Sequence, residues 1–111
     1  MTDYSQVPDY EINARVGESL GMTAHFIEHD GRVKFRDEKG RIQGTKDYCN
    51  NPADAWPIIV ANEIGVVPSK SSNTYAWDLR VGMLKGIKHV DDNPLRAAMI
   101  VFLMMKDAEK C

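Results

Sequence analysis

Between Leu95 and Met105 the chain carries a single polar residue, Arg96, and from Ala97 to Met105 the sequence is unbroken apolar. As a helix that run spans about 14 Å, well short of the roughly 30 Å of a bilayer core, so it does not read as a membrane span. A helix apolar on nearly every side must be covered on nearly every side. Either it is the central element of a domain, or part of it is an interface, where Met99, Met104 and Met105 with Phe102 would form an adaptable surface for a partner or a second copy. For a chain of 111 residues the central role is the more economical account.

That helix opens on Asn93-Pro94, and an earlier apolar run opens on Asn51-Pro52. An asparagine side chain accepts from the unpaired N–H groups of a first helical turn, and proline at the first helical position loses no bond. The second helix therefore starts at Asn51, with Asp54 closing a capping box and Trp56, Ile59, Val60 and Ile64 as its apolar face. Pro57 is discordant and should bend or split it, and Gly65 and Pro68 end it. The two segments overlay at an offset of 42 residues, which also aligns Ala55 with Ala97 and Ile58 with Ile100. Capping chemistry repeats without common descent, so a shared start signal explains the match better than duplication.

Pro8 to Leu20 reads as the first helix, with Ile12, Val16 and Leu20 on one stripe and Gly17 available for close packing. From Thr23 the period becomes two. Thr23 to His29 and Arg32 to Arg36 are joined by Asp30-Gly31, a hairpin signal whose usual form needs positive φ at both turn residues. Val33 and Phe35 then share one face and Arg32, Lys34 and Arg36 the other, with a third strand near Arg41 to Gly44. Ser69 to Asn73 reads as an exposed connection. Thr74 to Val81 alternates, placing Tyr75, Trp77, Leu79 and Val81 opposite Ala76, Asp78 and Arg80, and a weaker strand signal covers Ile87 to Val90. The expected fold is α+β: one domain over residues 1–111, a small sandwich of helices on a mostly antiparallel sheet in the order α-β-β-α-β-α.

Composition bounds the function. A hydrophobic share of 43% supports one core without metal or disulfide, and 27% charged residues with net charge −2 fits neither a disordered tail nor a strongly basic nucleic-acid binder. Two cysteines, Cys49 and Cys111, make no disulfide framework or zinc pattern, and the start MTDYSQVPDYE lacks the basic and apolar parts of a secretion signal. A cytoplasmic, reduced protein is expected. Charge is uneven, however: residues 1–30 hold six acids against Arg15, and residues 32–46 hold six bases against Asp37 and Glu38.

Three places carry functional readings. In Asp47 to Trp56 the side chains of Asp47, Tyr48, Asn50, Asp54 and Trp56 could form a ligand-binding lip at a helix N-terminus, for a small molecule or nucleotide, although a capped helix start with Trp56 as a core anchor explains the same residues. Arg32, Lys34 and Arg36 could follow a phosphate backbone, but the alternation sends Phe35 to the core and leaves that ribbon without an exposed aromatic. Cys49 would need a nearby histidine to act as a nucleophile, and His25 and His29, about 13 Å apart along a strand, do not make a shared metal site. No Gly-rich phosphate loop, nucleophile elbow or paired-carboxylate signature occurs. The reading that follows is a protein more binding module than enzyme, with no cofactor.

The segments TDYSQVPDYEINARV, DYCNNPADAWPIIVANEI and NPLRAAMIVFLMMKDAE, taken in order, resemble the NinX-like family of small proteins from the nin region of lambdoid bacteriophages and related prophages. The resemblance implies a phage-encoded accessory protein acting in the cytoplasm of its bacterial host. It implies no catalytic activity and transfers no site residues. The expected partner is a host or phage protein, with self-association through the third helix and nucleic acid at the hairpin as alternatives, and no membrane.

Overall fold

Asp9–Ser19 forms α1, with Asp9 and Glu11 in the first turn, where the positive end of the helix dipole favours carboxylates. A 3-10 turn at Tyr4–Gln6 precedes it. Three strands follow, β1 at Thr23–Ile27, β2 at Val33–Arg36 and β3 at Ile42–Lys46, then α2 at Pro52–Ala61. Three more strands, β4 at Ile64–Val67, β5 at Thr74–Asp78 and β6 at Lys88–Asp91, lead to α3 at Pro94–Glu109. The computed structural model describes residues 3–67, 74–80 and 87–109. The connection at 69–73, Val81 and Cys111 lie outside them.

The α+β class holds, but the strands make two separate three-stranded antiparallel sheets, β1-β2-β3 and β4-β5-β6. The order α-β-β-α-β-α expands accordingly: β3 is a full strand, the weaker signal at Ile87 to Val90 forms β6, and β4 is added. β4 begins where the sequence suggested that the second helix still ran. That helix ends at Ala61, Glu63 takes a left-handed φ of 53°, and Gly65 is a strand residue.

Both hairpins of the first sheet turn in the same way. The Glu28 amide bonds the Arg32 carbonyl at 2.8 Å and the Asp37 amide bonds the Arg41 carbonyl at 2.8 Å, so three residues span each turn. Only the last of each three, Gly31 and Gly40, has positive φ. Asp30 does not, which corrects the expected two-residue turn to a three-residue loop ending in a left-handed glycine.

The core centres on α3. Ala97 through Leu103 and Met105 are buried, and β4, β5, β6, α1 and α2 all pack on this helix. The covering that its apolar sequence demands comes from within the chain. α1 lies between α3 and the inner face of the first sheet, where Val33 and Phe35 are fully buried. Close approach there depends on Gly17, since a Cβ at that position would stand 2.1 Å from Phe35 Cε1.

β5 turns the reverse of the way its residues suggest, and α2 keeps only part of its expected face inside, since Ile59 and Ile64 are buried. On β5 the small Ala76 and the carboxylate Asp78 face inward, and Asp78 is held by Arg80 through Nε and Nη2 at 3.0 Å each. Tyr75, Trp77 and Leu79 lie outward, Trp77 resting against Gly65. On α2 the buried stripe is Ala55, Ile58 and Ile59, while Trp56 and Val60 are exposed, so Trp56 is no core anchor. Pro57 neither splits nor ends this helix. The carbonyl it leaves without a donor belongs to Ala53, which is exposed and can be met by water.

Candidate functional site

The polar residues of 47–54 form a seam that joins the starts of all three helices. Asp47 Oδ1 accepts from Asn13 Nδ2 at 3.0 Å and from Asn50 Nδ2 at 3.2 Å, while Asn13 Oδ1 accepts from the Cys49 amide at 3.0 Å. Asp54 Oδ2 accepts from the Asp47 amide at 2.9 Å, so it caps the preceding turn and does not close a capping box on Asn51. Asn51 itself caps α2 through the Ala53 amide at 3.0 Å. Asn93 caps α3 through the amides of Leu95 and Arg96 at 2.9 and 3.2 Å, and its amide group reaches the Cys49 carbonyl at 2.7 Å and Asn50 Oδ1 at 3.0 Å.

Arg96, the lone polar residue of the apolar stretch, completes the seam. Its guanidinium contacts Asp9 Oδ1 at 2.7 Å and Asp91 Oδ2 at 3.0 Å, and donates to the carbonyls of Tyr4 and Val7 at 3.0 and 2.6 Å. A buried charge is tolerated only when paired and hydrogen-bonded, and here one cation ties the N-terminal segment, α1 and β6 to α3. Asp47, Asn50 and Asp54 are thus engaged with protein groups.

Cys49 and Tyr48 point into the core. Cys49 is fully buried, its thiol 3.9 Å from the Asp9 carbonyl, and burial, reinforced by the Asp9 charge, pushes its pKa far up. A thiol held protonated in this way is a poor nucleophile. Tyr48 packs its ring 6.1 Å from that of Phe35, and burial, then the Asp54 charge, raises its pKa to about 12. His25 and His29 fall on β1 and in the hairpin turn, with His25 Nε2 3.3 Å from the Arg36 guanidinium. Among the described residues no cluster of three or more His, Cys, Asp or Glu side chains is placed to hold a metal ion.

The outer face of α2 is different in kind. Ala53, Trp56, Pro57, Val60 and Ala61 follow the i, i+3, i+4, i+7, i+8 spacing of one helical stripe, all apolar and all exposed. Trp56 is 61% exposed and Val60 58%. Beside the stripe, Ala53 and Pro57 form one wall of a cleft of about 310 Å³ with Tyr48 and Ile58 in its lining and Leu20, Met22 and Lys46 opposite. Asp54 also lines this cleft, 3.8 Å from the Lys46 ammonium. Three residues of the sequence-based site, Tyr48, Asp54 and Trp56, therefore bear on this surface, whereas Asp47 and Asn50 belong to the seam. Leu20 and Met22 could not have been attached to it from spacing, because they reach the cleft through the tertiary packing of α1 and β1. A larger open groove of about 500 Å³ between α1 and α3 is lined by side chains that pair locally, including Arg15 with Glu11 at 2.9 Å and Tyr4 with Asp107.

At the hairpin, Arg32 leaves the proposed basic face. It lies at the turn and pairs with Asp30 at 2.9 Å. Lys34 and Arg36 remain on the outer side of β2, opposite the buried Val33 and Phe35.

The family model described as Bacteriophage P22, NinX matches residues 3–106, nearly the whole sequence. No curated protein and no solved structure matches. The chain belongs to the NinX family, and with it to the accessory proteins of bacteriophages. No helix among the described residues is long and apolar enough to cross a membrane.

Proposed function

We propose that this phage or prophage accessory protein is non-enzymatic and works in the cytoplasm of its bacterial host by binding a host or phage protein through the outer face of α2. The observation that carries the reading is the exposed stripe from Ala53 to Ala61. A helix apolar on both faces is ordinarily buried on both. Here α3 and β4 cover one face only. Tryptophan is the residue most enriched among the few side chains that dominate protein interfaces. Covering the exposed part of Trp56 would contribute roughly 2–3 kcal/mol. The adjoining cleft offers a recess for a partner side chain, with Lys46 and Asp54 at its edge to orient it.

The test is affinity capture from lysate of infected bacteria with the wild-type protein and with Trp56→Ala. Because Trp56 is mostly exposed, its removal should change folding stability by no more than about 0.5 kcal/mol. Binding should weaken by about 2 kcal/mol or more, the loss typical of a central interface residue. A retained protein that is lost with Trp56→Ala supports the reading. Nothing specific retained, or an identical set retained by the variant, contradicts it.

A further inference from the structure

The outer face of the first sheet carries an exposed aromatic that the alternation of β2 alone does not reveal. Phe26 on β1 is 56% exposed and stands in direct antiparallel register with Lys34, which in turn faces Thr45 on β3. The neighbouring row is Thr23, Arg36 and Ile42. Residues in register share a face, and Lys34 and Arg36 lie opposite the buried Val33 and Phe35. These two rows therefore form one side of the sheet, with no carboxylate in either.

Phe26 reaches this side because a bulge between Ala24 and Phe26 shifts the register of β1. Without that bulge the period of two would place Phe26 on the same face as Ala24, whose cross-strand partner is the buried Phe35. Of the cations in the first sheet, Arg32 and Arg41 are neutralised at the hairpin turns by Asp30 and Asp37 at 2.9 and 2.8 Å. Lys34 makes no ion pair among the described residues. Arg36 is oriented by a bond from Nη1 to the Gly40 carbonyl at 2.6 Å.

We infer that this face binds single-stranded nucleic acid, with Phe26 stacking on a base and Lys34 and Arg36 meeting the adjacent phosphates. An exposed aromatic beside cations on an open sheet is the chemistry that unpaired bases and their backbone require. A duplex keeps its bases stacked on one another and cannot offer one to the ring. The charge of the face is complementary to a polyanion, but the protein as a whole carries −2, so attraction is short-range. Affinity is consequently modest and set by two phosphate contacts, with log K falling by about 0.7 per contact for each unit of log salt.

The test is fluorescence anisotropy of a labelled oligothymidine strand, with the same strand annealed to oligoadenine as comparison, at low and at physiological salt. The single strand binds at low salt and the duplex binds less. Phe26→Leu weakens the single strand by about tenfold, the loss expected of one base–aromatic stack, while Phe26→Tyr retains it. Lys34→Ala and Arg36→Ala flatten the salt dependence, and Arg32→Ala leaves affinity unchanged. Circular dichroism checks that the leucine variant, altered at a mostly exposed position, keeps its fold. Absence of binding at low salt, equal binding of the duplex, or full affinity in Phe26→Leu overturns the inference. Trp56→Ala binds the strand like the wild type, which keeps this test separate from that of the α2 surface.

Discussion

Gly17 shows how one missing side chain sets the distance between a helix and a sheet. Helix propensity favours alanine at such a position by about 1 kcal/mol. The Phe35 ring, fully buried 2.1 Å from the site of the new Cβ, opposes it. Overpacking costs about 1–3 kcal/mol when the neighbour cannot move away, so Gly17→Ala should destabilise the protein, as urea unfolding would show. His89 supplies a second effect at this scale. Its Nε2 is buried without a hydrogen bond among the described residues, 3.6 Å from Asp91. Burial lowers its pKa, the Asp91 carboxylate pulls it partly back, and the Arg96 cation lowers it further, with Asp3 a weaker raising influence. A depressed histidine pKa means that the unfolded chain binds the extra proton first. Stability is then present above the unfolded value of about 6.5 and declines as pH falls towards the folded value. Urea unfolding from pH 7 to pH 5 should show that decline, and His89→Gln should flatten it.

At the scale of elements, the two Asn-Pro starts are equivalent in sequence and unequal in structure. Asn51 caps α2 from an exposed position, and Asn51→Ala should cost about 1 kcal/mol. Asn93 caps α3 and also supplies donors to the Cys49 carbonyl and Asn50. Asn93→Ala should cost about 2–3 kcal/mol, since the buried Cys49 carbonyl loses its side-chain donor as well. Equal losses in thermal unfolding of the two variants would contradict the seam. These caps also explain why helix starts were legible: the signal lies in two adjacent residues and needs no tertiary context. Which face turns inward was not legible on α2 or β5. Both faces of α2 are apolar, and on β5 the larger residues Tyr75 and Trp77 lie outside while Ala76 makes room for α3. Hydrophobicity alone cannot rank two apolar faces; the space left by a neighbour does. The strand β4 was missed because Gly65 and Pro68 read as helix-ending residues, while the left-handed Glu63 made the actual stop.

The whole molecule is two segments of three strands and a helix, following α1 and gathered around α3. At the Asn-Pro offset of 42, β2 falls on β5 and β1 overlaps β4, but the facing differs, since the buried Val33 and Phe35 fall on the outward Tyr75 and Trp77. Of the candidate site, the part legible in sequence was local: the caps, and the cluster of unusual residues around Trp56. The rest depended on long-range contacts, which joined Phe26 to Lys34 and bonded Asp47 to Asn13 and Asn50 to Asn93. The central claim is that Trp56 meets a partner. Hydroxyl-radical footprinting of the complex captured from infected cells tests it most directly, with Tyr10, 43% exposed on α1, as the internal reference. The account requires Trp56 to lose its reactivity on binding while Tyr10 keeps its own; a complex in which Trp56 stays as reactive as in the free protein would contradict it.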